Sequence, residues 1–330
     1  MANLSSESPI FINATSLKSL LSYTSLINHL QSSLPSATST IQSPIRHSHP
    51  TSSSSTLLLM PAWPLSSTTF PYIGVKLVTT HPDNSSRNLP GVHASYILFN
   101  SLTGQTLASF DGTEITVRRT ACISALASQF LSDKNSKVLL MIGSGALAPH
   151  LIKAHMKTRP SISHVMIWNR TVERAGKLVK EMKSESEMKG LRFEVCEDLE
   201  SGVRIADIVT CATNSTTPLV LGKWLKAGAH LDLVGSYKPS MRECDDEAVK
   251  RGRVFVDNEA AMVEAGELVG AFERGVMTKN EIEGDLVELI KGDKIGRKDG
   301  YEITVFVSVG SAVVDLLSAQ LAYESFRDKP

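Results

Sequence analysis

Two glycines and an alanine in the stretch KVLLMIGSGALAPHLIKAH, residues 137–155, have the types and spacing to hold a dinucleotide pyrophosphate. Gly143 allows a tight turn out of a strand. Gly145 removes a side chain where phosphate must approach the backbone. Ala148 takes the third small position, where helix and strand pack closely, and Ala146 and Leu147 complete the turn. The phosphates would rest on free N–H groups at the positive end of the helix dipole. A glycine pattern alone is weak. Here it follows a short apolar run, Val138–Ile142, and precedes a second strand-like run, HVMIWNR at 164–170, at the distance a βαβ unit requires.

The end of that second run bears on which dinucleotide binds. An NAD site places a carboxylate there to accept from the adenosine ribose hydroxyls. This chain has Asn169, Arg170 and Thr171 instead, with Arg174 one turn later. Such a cluster would hold a 2′-phosphate through charge-assisted hydrogen bonds. NADPH is therefore favoured, with NADH admitted as second cofactor. The plainer alternative is that the arginines are solvated residues at a helix start.

These residues need elements to position them. A chain of 330 residues is long for one core, so two domains are expected. The 34 Lys and Arg balance 34 Asp and Glu, which argues against a nucleic-acid partner. No apolar run is long enough to span a bilayer, so no membrane partner is expected. Cys122, Cys196, Cys211 and Cys244 are scattered without a C-x-x-C, so no metal site is expected. They read as buried thiols of a reducing intracellular compartment, cytosol or plastid stroma. The first ten residues lack the basic and apolar regions of a signal peptide, and no clear transit peptide is seen.

Charge is uneven along the chain. The first 132 residues hold as cations only Lys18, Arg46, Lys76, Arg87, Arg118 and Arg119. Segments 57–60, 72–80, 94–100 and 105–110 read as strands of an antiparallel sheet. Lys76 sits mid-strand between Val75 and Leu77. It either faces outward or needs a partner, because an unpaired cation inside a sheet is expensive. From 119 to 132 the pattern turns helical. An α/β alternation follows, with helices at 171–184, 221–227 and 245–251 and strands at 191–196, 207–213, 229–235 and 253–257. A last strand at 303–310 leads into an amphipathic helix that could return to the first domain.

The chain resembles the ornithine cyclodeaminase/mu-crystallin family along nearly its full length. The resemblance is carried by LLLMPAW near 60, VKLVT at 75–79, DGTEITVRRTACISALAS at 111–128, IGSGALA, IWNRT, LKAGAHLDLVGS, RVFVDN, ELIKGDK and ITVFVSVGSAVVD. The peptides SGALAPHLIK and VGAFERG bring it nearest the plant branch, ketimine reductases that make pipecolic acid in systemic acquired resistance.

The resemblance implies an α/β fold in which a Rossmann-type domain, 121–310, is inserted in a split α+β domain, 1–120 plus 311–330, that binds substrate and dimerises through its sheet. It implies a homodimer. It places the substrate carboxylate on an arginine of an early strand, the lysine of the VKLVT strand and the arginine before the threonine of the RTA block. Those positions are Arg46, Lys76 and Arg119; Arg118 is the lesser candidate of the adjacent pair. Thr213 and Asn214, after the fourth strand of the nucleotide domain, and the Ser308-Val309-Gly310 turn are expected on the nicotinamide side.

Two departures from the cyclodeaminases are informative. They carry an aspartate where this chain has Tyr237, and a glutamate where it has Leu58. A diamino acid brings two ammonium groups, and a site lacking both carboxylates would desolvate them unpaired. A cyclic imine carboxylate needs only its carboxylate held and its nitrogen protonated. The expected reaction is therefore NAD(P)H-dependent reduction of Δ1-piperideine-2-carboxylate to pipecolate. Lys76 is the first candidate acid and His93 the second, and Tyr237 could position a water or the ring. Ornithine cyclodeamination, amino-acid dehydrogenation and crystallin-like ligand binding without catalysis are the alternatives.

Overall fold

The computed structural model describes residues 8–87 and 89–328. The chain divides into two compact units, one formed by residues up to Arg119 and from Ser311 onward, the other by Thr120–Gly310.

The first unit opens with β1 (Ile10–Ile12), α1 (Ala14–Leu20), α2 (Tyr23–Thr40), β2 (Ile41–Gln42) and β3 (His47–Pro50). It continues through β4 (Thr56–Pro64), β5 (Tyr72–Thr80), β6 (Val92–Asn100) and β7 (Thr106–Asp111). The helices were not expected from this Ser-rich stretch. Asn13 and Ser22 cap them by accepting from the backbone of Ser16 and Ser25. Leu26, Ile27, Leu30 and Leu34 then form one buried stripe on α2. The strands form a 7-stranded sheet in the order β1-β7-β6-β5-β4-β2, with β3 also on β4. All pairs are antiparallel except β1 with β7. Alternation sorts the faces. Leu58, Met60, Ala62, Gly74, Lys76, Val78, Tyr96 and Leu98 are buried, while Leu57, Leu59, Pro61, Ile73, Val75, Leu77, Ile97 and Phe99 are half-buried on the other face.

Helix α3 (Gly112–Leu131) starts seven residues earlier than its periodicity suggested. Its opening β-branched run resembles a strand, but Asp111 accepts from the Glu114 amide and stops the sheet there. A side chain at Gly112 would strike the backbone of Ala94 and Ser95, so glycine is required where α3 leaves β7 against β6. The chain passes from the first unit to the second within this helix.

The second unit contains β8 (Val138–Ile142), α4 (Ala148–Thr158), β9 (His164–Trp168), α5 (Val172–Ser184), β10 (Arg192–Val195), α6 (Leu199–Ile205) and β11 (Ile208–Cys211). After these come β12 (His230–Leu233), α7 (Asp246–Arg251), β13 (Gly252–Val256), α8 (Ala261–Glu264), α9 (Gly266–Glu273), β14 (Gly284–Asp285), α10 (Leu286–Lys291) and β15 (Ile303–Val307). Its 8-stranded sheet is parallel throughout, in the order β10-β9-β8-β11-β12-β15-β13-β14. From β10 to β12 this is the start of the dinucleotide-binding order, 3-2-1-4-5, reversing direction between β8 and β11; the last strand, β15, inserts between β12 and β13. The helix expected at 221–227 is only a short 3-10 turn, Gly222–Trp224. Gly228 follows at φ 80, a conformation no right-handed helix continues through. Among the described residues no helix is long and apolar enough to cross a membrane.

The chain returns to the first unit in α11 (Ala312–Arg327), which packs on α2 and on the buried face of β4, β5 and β6.

Candidate active site

The nucleotide unit offers a pyrophosphate cradle. Gly143 sits at φ 107, and a side chain there would strike the Ala212 carbonyl, so this glycine is demanded by the protein itself. Gly145 is different: a Cβ there meets no atom of the other described residues within 4 Å. Nothing inside the fold requires glycine at 145, which is what a position kept bare for a ligand looks like. The next helix, α4, has no side-chain cap, no acidic residue in its first turn and a proline near its start. Its N–H groups suit an anion. A cleft of about 510 Å³ lies against this turn, lined by Ser144, Gly145, Ala146 and, from α5, Arg174 and Lys177. Leu147 is half-buried and Ala148 fully buried against the strand. These residues fit a dinucleotide pyrophosphate.

Arg170, Thr171 and Arg174 are exposed at the end of β9 and the start of α5. Asn169 is engaged locally, its amide donating to the Thr171 carbonyl at 2.9 Å. It shapes the turn that presents the arginines.

Further along the C-terminal edge of the sheet, two acidic residues absent from the sequence reading organise the rim. Asp257, after β13, accepts through Oδ2 from the Ser308 hydroxyl at 2.8 Å, the Val309 amide at 3.1 Å and the Gly310 amide at 2.7 Å. The expected Ser308-Val309-Gly310 turn is thus clasped from the neighbouring strand, with Gly310 at φ 83. Glu243 accepts from the Thr213 amide at 2.6 Å and its hydroxyl at 2.7 Å. The Thr213 hydroxyl is therefore committed to the protein, while Asn214 beside it is exposed. Tyr237 is half-buried on the loop after β12, with the Lys238 ammonium 5.6 Å from its ring centroid.

The first unit gathers the charged side chains. Lys76 is on the buried face of β5, 2% exposed. Its ammonium meets Asp315 Oδ2 at 2.7 Å, and Arg119 Nε meets Asp315 Oδ1 at 2.8 Å. Asp315, in the first turn of α11, is completely buried. Burial works against its ionised form, but Arg119 and Lys76 outweigh that and hold its carboxyl below the usual value. Lys76 is pushed down to about 8, first by burial, then by the Arg119 charge; Asp315 opposes this, and Arg46 adds to it. Tyr96, directly across the ladder from Lys76, has a buried hydroxyl with no hydrogen-bond partner among the described residues. Gly74 makes room for that ring, since a side chain there would collide with the Tyr96 hydroxyl.

Arg46 is half-buried and close enough to influence Lys76, yet it lies in the loop just before β3 rather than in a strand. Pro44, two residues earlier, cannot donate to a ladder, and the chain leaves the sheet there. Arg118 has a different job. It bonds Glu114 at 2.6 Å and the Leu21 carbonyl at 2.8 Å, and stacks on Tyr23. His93 is exposed on β6 and Leu58 is buried on β4.

The sequence reading missed Asp315, although a signal was available. It is a lone carboxylate inside the apolar run SAVVDLLSAQLA, on a helix expected to bury one face. With it, Lys76 and Arg119 share one internal anion, and Arg46 is close enough to act on Lys76. The remaining positive charge suits a monoanionic carboxylate ligand.

The pattern of the ornithine cyclodeaminase/mu-crystallin family matches residues 7–330. The chain belongs to that family. It is 56% identical to the Arabidopsis thaliana protein SAR DEFICIENT 4, over 96% of this chain and 98% of that protein. Its structure is similar to that of Thermococcus litoralis Δ1-pyrroline-2-carboxylate reductase in complex with NADH and L-proline. The TM-score is 0.90 and the identity 30%, over 97% of this chain and 98% of the other. An archaeal alanine dehydrogenase dimer with bound NAD is also similar, at a TM-score of 0.87 and 29% identity, over 96% and 95% of the two chains.

Proposed function

We propose that the protein reduces a cyclic ketimine carboxylate with NAD(P)H, and that Δ1-piperideine-2-carboxylate, giving pipecolate, is its substrate. The observation that carries this reading is the buried Lys76–Asp315–Arg119 cluster with Arg46 beside it. Its excess positive charge recognises one carboxylate. Leu58 and Tyr237, where cyclodeaminases would add anions for a second ammonium, supply none. The likeness to a pyrroline-2-carboxylate reductase supports the same chemistry.

Arg46 and the guanidinium of Arg119 orient the substrate carboxylate. Lys76, with its ammonium poised at about 8, keeps the imine nitrogen protonated, which makes the ring carbon a better hydride acceptor. Asp315 holds Lys76 and Arg119 in place. The nicotinamide cofactor, when bound, supplies the hydride. Gly143, Gly145, Ala146, Leu147 and Ala148 hold its pyrophosphate; Arg170, Thr171 and Arg174, on a turn shaped by Asn169, take a 2′-phosphate and favour NADPH over NADH. Thr213, Asn214 and the Ser308–Gly310 turn line its nicotinamide half.

The protein works as a homodimer. The half-buried apolar face of the first unit's sheet is the surface for a second copy, in keeping with the dimeric alanine dehydrogenase of the same fold.

The test is cofactor oxidation with the six-membered and five-membered imines, each with NADPH and NADH, alongside ammonia release from ornithine. Imine-dependent oxidation, faster with the six-membered ring and NADPH, is the expected result. Ammonia from ornithine without imine reduction would overturn it.

A further inference from the structure

We propose that Glu243 is a positioning residue for the nicotinamide half of the cofactor: its carboxylate staples together the chain segments that leave the fourth and fifth strands of the dinucleotide sheet. The inference rests on the dinucleotide-reductase reading above and adds a residue to it.

The β11–β12 ladder ends where the Val234 amide donates to the Cys211 carbonyl at 3.0 Å. Beyond that rung the two chains must be held by something else. Glu243 does it. Its Oε1 accepts from the Thr213 amide and hydroxyl, at 2.6 and 2.7 Å, and its Oε2 from the Gly235 amide at 2.8 Å. A side chain at Gly235 would run into Thr213 and the Glu243 carboxylate, so the approach is as close as backbone allows.

Every group aimed at this carboxylate is a donor. A neutral amide in its place would turn its own NH2 against one of the two backbone N–H donors, Thr213 or Gly235. That choice is expensive. Glu243 is wholly buried, and a second buried carboxylate, Glu267, accepts from the Glu243 backbone amide at 2.5 Å. Burial, and then the Glu267 charge, pushes the Glu243 carboxyl up to about 8. A fold that only needed two loops joined would be more stable with apolar packing there.

The location gives the staple its purpose. In a sheet that opens in the order 3-2-1-4-5 the dinucleotide lies across the C-terminal edge, with its pyrophosphate on the turn after the first strand and its redox half over the fourth and fifth. Thr213 and Gly235 follow those two strands. The adenosine and pyrophosphate contacts, at Gly145 and α4, come from other segments. Loosening the staple should therefore weaken one half of the cofactor's site and spare the other.

The experiment compares NADPH with 2′-phospho-ADP-ribose, which carries all of the cofactor except the nicotinamide ring. Their dissociation constants are measured by titration on the full-length protein and on Glu243→Gln. The variant should bind 2′-phospho-ADP-ribose within about twofold of the unmodified protein, bind NADPH roughly tenfold more weakly, and lower kcat more than it raises the imine KM. Thr213→Val deletes one of the three bonds and should move the same ratio less far; it decides the matter if Glu243→Gln does not fold. Equal losses for both ligands, or an unchanged ratio, would overturn the positioning role. An unmodified protein that binds neither ligand would instead remove the dinucleotide reading, and this inference with it.

Discussion

Asp315 changes what the cations around it can do. In a site without it, Lys76, Arg119 and Arg46 would repel one another, and burial would drive the lysine toward its neutral form. With it, Lys76 keeps enough affinity for a proton to titrate at about 8. Activity that needs the ammonium should be full below that pH and fall as pH rises through it. Asp315→Asn removes the group that favours the charged form, so the lysine titrates lower and the alkaline limb of kcat/KM moves to lower pH. A limb that stays in place would separate Lys76 from the acid role. The adjacent arginines divide by the same reasoning. Arg119→Lys keeps charge but loses the planar fork, and should lower kcat/KM while leaving stability nearly intact. Arg118→Ala breaks a buried bond to the Leu21 carbonyl and should cost about 1.5–3 kcal/mol in denaturant unfolding, with a mild effect on turnover. If Arg118→Ala proves the more damaging to turnover, the carboxylate sits on the other arginine.

At the scale of elements, the strand–turn–helix at 138–158 separates a glycine the fold demands, Gly143, from one proposed to serve the cofactor, Gly145. Gly143→Ala forces a side chain at φ 107 into the Ala212 carbonyl and should lower the melting temperature. Gly145→Ala meets no atom of the other described residues, so the protein should fold as before and lose roughly tenfold or more in NADPH affinity, read by fluorescence titration beside a thermal melt. An unchanged affinity would move the pyrophosphate off this turn. This element was readable in the sequence because its chemistry is local: an apolar strand, small residues at fixed spacing and a helix follow within twenty positions. Strand β5 was readable for the same reason, its bounds given by alternation. The partners of Lys76, Thr213 and Ser308 were not. Asp315, Glu243 and Asp257 lie tens to hundreds of positions away, and only the closed sheets bring them into reach. The start of α3 was hidden because its β-branched opening turn is made helical by the Asp111 cap rather than by its own propensity.

For the whole molecule, the dimer surface proposed above is the outer face of the first unit's sheet. Its other face is covered by α11, which α2 backs, while Leu57, Leu59, Pro61, Ile73, Val75, Leu77, Ile97 and Phe99 are left half-covered. A contiguous apolar face of this kind marks an interaction surface. Val75 lies at its centre, paired with Pro61 on one side and Ile97 on the other. In a two-fold dimer a residue near the axis counts twice, once from each copy. Val75→Asp would forfeit about 1.5–3 kcal/mol of burial per copy, before the added cost of desolvating a carboxylate. The dimer dissociation constant should therefore rise by at least two orders of magnitude. Light scattering coupled to gel filtration should give twice the mass of one chain for the unmodified protein, and one chain for Val75→Asp at micromolar concentration. The Lys76 side chain adjoining Val75 points to the opposite face, so the variant's far-ultraviolet circular dichroism should match the unmodified protein if the first unit folds without its partner. A single-chain mass for the unmodified protein, or a dimer undisturbed by an aspartate at position 75, would place the subunit contact elsewhere or abolish it.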